Sequence, residues 1–124
     1  MANVSGSWLG TYWQNANPTR FEVTFVQAGN TISGNILDDS PLLGEAQATG
    51  EIMGRTIRFA KRYLTTSIYP ITYSGLIAED ENSMQGSWTI QGLESGNWEA
   101  HRSGDDLVAE LQKRRLEAMP LGRR

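Results

Sequence analysis

The chain predicts an all-β fold: an eight-stranded antiparallel up-and-down β-barrel followed by a short C-terminal α-helix. Three observations carry that prediction. Segments of alternating apolar and polar residues recur along the chain, the links between them are short, and Gly-x-Trp stands near both ends of the patterned region, as GSW at 6–8, GSW at 86–88 and GNW at 96–98. Alternation with a period of two is what a half-buried strand needs, because successive side chains point to opposite faces. Short links join antiparallel neighbours and leave little chain for the longer crossovers of a Greek-key sandwich. Closing the sheet brings the first and last strands side by side, which explains why the same motif marks both.

The strands are expected near 5–14, 20–28, 30–38, 44–53, 55–63, 69–79, 83–91 and 96–102. The second is the clearest, with Phe21, Val23 and Phe25 on one face and Glu22 and Thr24 on the other. Ile32, Gly34 and Ile36 align in the third, Ile57 and Phe59 in the fifth, Ile71, Tyr73, Gly75 and Ile77 in the sixth, and Met84, Gly86, Trp88 and Ile90 in the seventh. Turn signals separate them at Ala28-Gly29-Asn30, Met53-Gly54-Arg55, 79–83 and 91–96. Pro18 and Pro41 are expected in connections, Pro70 at a strand start and Pro120 beyond the sheet, so that none removes a needed ladder donor. Glycines inside strands, Gly10, Gly34, Gly50, Gly75 and Gly86, suit a tightly curved wall with bulky interior neighbours.

After Ser103 the pattern changes. DDLVAELQKRRLEAM reads as a helix, with Asp105 and Asp106 at its positive end, a basic run later and Pro120 as its limit. Leu107, Val108, Leu111 and Ala118 share a broad apolar face, a candidate surface for a protein partner. The expected organisation is a barrel domain over 1–104 and a helix with a basic tail over 105–124.

Composition bounds the function. The 124 residues suffice for one core, and the absence of cysteine excludes disulfides and thiolate ligands. A net charge of −3 gives no global attraction to nucleic acid or anionic membrane. Lys113-Arg114-Arg115 with Arg123-Arg124 lacks an aromatic stacking platform and reads as a solvated helix face. No long apolar run marks a membrane span or a leader, and a cytoplasmic location is expected.

In order along the chain, GSW, TISGNI, ATGEI, TIRFAKR, TYSG and the second GSW resemble the avidin and streptavidin family, and more broadly the calycin barrels. The resemblance implies that Trp8 lies across one barrel end with Arg102 of the last strand packed on it as a closure. It does not carry the biotin site. Gly10 stands where avidins have an asparagine, Ile36 where they have a tyrosine, Tyr69 and Ile71 near their serine and threonine, Phe59 for a tryptophan and Trp98 near the last-strand aspartate. Trp88 alone keeps its character, so no avidin-like affinity for biotin is expected.

With avidin-like parity the lumen receives Gly10, Tyr12, Ile36, Asp38, Ala46, Ala48, Phe59, Tyr69, Tyr73, Trp88 and Trp98. One reading makes Tyr12, Asp38, Tyr69, Tyr73, Trp88 and Trp98 the wall of a pocket for a small apolar or aromatic ligand. The other makes the aromatics plain core, since an eight-stranded barrel is just wide enough for side chains to fill, and leaves an interaction or structural module. Asp38-Asp39 reads equally as a solvated turn before Pro41. The lone His101 points outward, and Glu79-Asp80-Glu81 is an acidic turn. Neither these nor the many hydroxyls form a nucleophile with its base, so no catalytic residue, cofactor or metal ligand is expected. Outward Leu9, Val26 and Leu76 suggest a homo-oligomer.

Overall fold

The computed structural model describes residues 1–40, 44–64 and 69–103. Eight strands, β1 (Gly6–Gln14), β2 (Asn17–Ala28), β3 (Thr31–Asp38), β4 (Glu45–Met53), β5 (Thr56–Tyr63), β6 (Ile71–Ile77), β7 (Ser83–Ile90) and β8 (Glu94–Arg102), form one closed barrel in sequence order. All neighbours are antiparallel, and β1 closes on β8 with Trp8 opposite Arg102 and Tyr12 opposite Trp98. The expected C-terminal helix lies outside the described residues, and among these no helix is long and apolar enough to cross a membrane.

Large and small side chains alternate across the inner wall. Five inward glycines each face an aromatic directly: Gly10 opposite Phe21, Gly34 opposite Phe25, Gly50 opposite Phe59, Gly86 opposite Trp98 and Gly96 opposite Trp88. A Cβ on Gly96 would sit 2.7 Å from the Trp88 ring and one on Gly10 closer still to the Phe21 ring, whereas one on Gly86 would meet the Ser74 and Gly75 backbone, so close approach of a ring or of a neighbouring strand sets these positions. The second and third Gly-x-Trp motifs therefore lie in register, each glycine opposite the other motif's tryptophan, and Gly96 leaves room for the Trp88 indole. β4 continues the scheme with Ala46, Ala48 and Gly50 opposite Tyr63, Lys61 and Phe59 of β5.

Mid-barrel, the aromatics pack on one another. Phe59 and Tyr73 stack with centroids 4.9 Å apart, and Phe25 and Trp98 meet this pair edge-on. Such pairs add about 0.5–1.5 kcal/mol each beyond burial. The middle of the lumen is thus filled by side chains.

One end is closed by residues ahead of β1. Ala2 and Val4 are buried there, held by Ala2 N donating to Gly54 O (2.9 Å) and Val4 N to Gln27 Oε1 (2.8 Å). Trp8 Nε1 donates to Val4 O (2.9 Å), and the Arg102 guanidinium lies 4.5 Å from the Trp8 ring centre while donating to Glu81 O, Ser5 O and Asn3 O.

Pro18 lies inside β2 rather than in a connection. It pairs with Trp13, one step from the two-residue turn at Asn15 and Ala16, and β2 meets β3 only from Phe21 onward. Its missing N–H faces a side with no strand partner, so the ladder loses nothing.

Candidate functional site

At the end opposite Trp8, the inward parity of three strands delivers polar groups to one place. β3 ends on Asp38, β5 carries Lys61 and Tyr63 in phase with Ile57 and Phe59, and β1 carries Tyr12 in phase with Trp8. β3 and β5 flank β4, and neighbouring strands lie about 4.8 Å apart. Because β4 offers only Ala46 and Ala48 there, the Lys61 chain has room to lean across them toward Asp38.

Lys61 Nζ donates to both Asp38 oxygens, at 2.8 and 3.0 Å. Tyr63 and Tyr12 donate their hydroxyls to Asp38 Oδ2 at 2.5 and 3.0 Å, and the two phenol oxygens are 3.4 Å apart. The ammonium also lies over aromatic faces, 4.6 Å from the Tyr12 centroid, 4.8 Å from Tyr63, 5.6 Å from Tyr73 and 5.9 Å from Phe21. Both charged side chains are essentially out of solvent, Lys61 at 1% and Asp38 at 0% exposure. Among the described residues they are the buried charges of the barrel.

Electrostatics follows from that burial. Loss of solvent pulls the Lys61 amine below the ordinary lysine range, opposed by the adjacent Asp38 carboxylate. Burial pushes the Tyr63 phenol far above its ordinary range, helped by its hydrogen bond to Asp38, and burial likewise raises Tyr12 and Tyr73. The three phenols thus stay neutral, and those of Tyr12 and Tyr63 donate to Asp38.

The expected site residues separate. Tyr12, Asp38, Tyr73, Trp88 and Trp98 all point into the barrel and are buried. Asp38 is the last residue of β3 with an inward side chain, so the solvated-turn reading fails for it. Tyr69 is displaced from the lumen, with 57% exposure. β6 begins at Ile71, after Pro70, and the alternation cannot be extended back through a residue outside the ladder. Trp88 Nε1 donates to Trp13 O (3.1 Å) and Trp98 Nε1 to Ser74 O (3.0 Å), so both indoles anchor to the wall.

Lys61 and Tyr63 were not among the expected site residues. The run Ile57, Phe59, Lys61, Tyr63 holds one parity through the charge, and that was the signal available. A depression of about 640 Å³ lies on the outer face of β1–β3, where Leu9, Glu22 and Leu37 stand in one outward row, and neither Lys61 nor Tyr12, Tyr63 or Trp88 lines it. Among the described residues no group of three or more His, Cys, Asp or Glu side chains is placed to hold a metal.

No protein-family model matches the chain, and no curated protein is significantly similar to it. One solved structure that it resembles is a de novo designed fluorescence-activating β-barrel, with 13% identity over 80% of this chain and 93% of that one, at a TM-score of 0.58. That likeness is one of fold.

Proposed function

We propose that the protein is a non-catalytic ligand-binding barrel of the streptavidin-like, calycin kind, taking a small apolar or aromatic molecule other than biotin at the end opposite Trp8. The observation that carries this reading is the Asp38–Lys61 pair with its two phenols, gathered at one end of an otherwise apolar interior. A scaffold has no need of such a group, because well-packed apolar side chains of similar volume are often as stabilising as a buried ion pair or more so. An apolar wall with a few convergent polar groups is the usual build of a small-molecule site. The structural likeness to a barrel designed to activate fluorescence supports the same reading.

The filled middle of the lumen confines the ligand to that end, against Tyr12, Tyr63 and Trp88. Titration with 1-anilinonaphthalene-8-sulfonate tests this. Saturable one-site binding is expected, weakened at least tenfold by Trp88→Ala and unchanged by Val26→Ser on the outer wall. Absence of saturable binding, or equal loss in both variants, would overturn it. The alternative is an interaction module, supported by the same mid-barrel packing and by exposed Val26, Met53 and Leu76 on the outer wall.

A further inference from the structure

The chain has two lysines against nine arginines, and one of the two lysines is Lys61. For a buried pair with a carboxylate, arginine is the usual cation, since its fork matches both oxygens and it never loses its charge. Lysine brings what arginine lacks: an amine that can surrender its proton and attack a carbonyl. Its nitrogen here sits against both oxygens of Asp38 and over the faces of Tyr12, Tyr63, Tyr73 and Phe21. Those surroundings suit a positive nitrogen with apolar substituents better than a strongly hydrated ammonium. A protonated imine is such a group. It keeps the charge and one N–H for Asp38, and it presents carbon to the rings.

We propose that Lys61 is an attachment lysine, its Nζ condensing with the carbonyl of a small conjugated aldehyde admitted at the end opposite Trp8 to form a protonated imine with Asp38 as counter-ion. This rests on the reading of that end as a ligand site. The balance is as follows. Lys61 first passes one proton to the Asp38 carboxylate. The free amine pair attacks the carbonyl carbon, forming the C–N bond, and the C=O π pair moves to oxygen. A second proton passes from nitrogen to that oxygen through the Tyr63 hydroxyl, which hydrogen-bonds Asp38. The carbinolamine then expels its hydroxyl as water with the proton held on Asp38, leaving the iminium and an ionised Asp38. Lysine ammonium and aldehyde become iminium and water, with no oxidant or reductant. Burial of Lys61, which holds its amine below the ordinary lysine range, eases the first transfer.

The test uses the full chain with cinnamaldehyde as probe, followed by borohydride trapping and peptide mass spectrometry. With two lysines the comparison is internal. Labelling of Lys61 at least tenfold above Lys113 is expected, together with a red-shifted absorbance that borohydride bleaches, and urea should abolish the preference. The wild-type ratio needs no variant to fold, and Lys61→Arg, which keeps the charge, should remove the red shift. Labelling of Lys113 at or above the level of Lys61 would overturn the proposal. Cinnamyl alcohol, which cannot form an imine, separates the two readings. If it quenches Trp88-dependent fluorescence saturably while Lys61 stays unlabelled, the imine is wrong and the ligand site stands; if neither occurs, both fall.

Discussion

The two ends of this barrel satisfy their polar groups in opposite ways. At the closed end a guanidinium is answered by backbone: Arg102 donates to the carbonyls of Glu81, Ser5 and Asn3 and rests on Trp8. At the opposite end side chains answer one another, with Lys61, Tyr12 and Tyr63 all converging on Asp38. Carbonyls held by a sheet and a plugged N-terminal segment cannot ionise or move without unfolding. A carboxylate, an amine and two phenols can exchange protons and partners. The first end is arranged for closure, and the second retains a costly arrangement with chemical capacity.

If that contrast is right, the largest loss of stability comes from the closed end. Trp8→Ala removes a fully buried indole, its bond to Val4 O and the face under Arg102. A loss of about 5 kcal/mol is expected, at the upper end of large-to-small core substitutions. Urea melts measure it, and a change below about 1 kcal/mol would mean that Trp8 does not close the barrel.

The Asp38 end should instead show strong coupling. Lys61→Met or Asp38→Leu alone leaves a buried charge without its partner, and each should cost about 3 kcal/mol or more. The double variant removes both charges and should cost less than either, about 1–2 kcal/mol, since Tyr12 and Tyr63 still lose their acceptor. A double-mutant cycle reads this directly. Additive losses would show that the pair is not the unit described here.

How much of this was legible in the sequence differs by end. The strands were, because the period-two alternation is imposed by a wall with one dry face, and Trp8 with Arg102 followed from the family resemblance. The closing plug was not, since Ala2 and Val4 find their partners in Gly54 and Gln27, which no local pattern links to them. Asp38 was readable in two ways because it is a polar residue at a strand end, where parity and turn chemistry conflict. Lys61 was missed although the strand was expected to run to 63, because a lysine is rarely fully buried unless paired and its partner Asp38 stands 23 residues away. Tyr69 was misplaced by carrying parity through Pro70.

Alkaline pH sharpens the comparison further. Tyr12, Tyr63 and Tyr73 have folded-state pKa values raised above the roughly 10 of an exposed phenol. Their contribution is fully present below about pH 10 and is lost as pH rises, because the unfolded chain releases protons that the folded one keeps. Lys61 acts oppositely: its burial penalty is present at neutral pH and relieved as pH approaches about 10.4, the unfolded value. Above that only the phenols act. Each contributes a fall of up to about 1.4 kcal/mol per pH unit, so Tyr63→Phe should flatten the decline by that amount. Urea midpoints from pH 8 to 11.5 check it, and an unchanged slope would show that Tyr63 is not held neutral by the cluster.

The smallest expected effect lies in the β1–β2 turn, at the same end as Asp38 but outside the cluster. Asn15 and Ala16 both have positive φ, 50° and 68°, as a two-residue hairpin turn matching the right-handed twist of its strands requires. Asparagine tolerates that region, whereas alanine places its Cβ too close to the neighbouring carbonyl, at about 1 kcal/mol. Glycine has no such contact, and its greater unfolded-state freedom offsets part of the gain. Ala16→Gly should therefore stabilise the barrel by roughly 0.5–1 kcal/mol without altering dye binding or the Lys61 labelling ratio, since Ala16 is exposed and touches neither Asp38 nor Lys61. If this substitution weakens binding while raising the urea midpoint, the turn is part of the ligand site, and the boundary drawn here between scaffold and Asp38 cluster is in the wrong place.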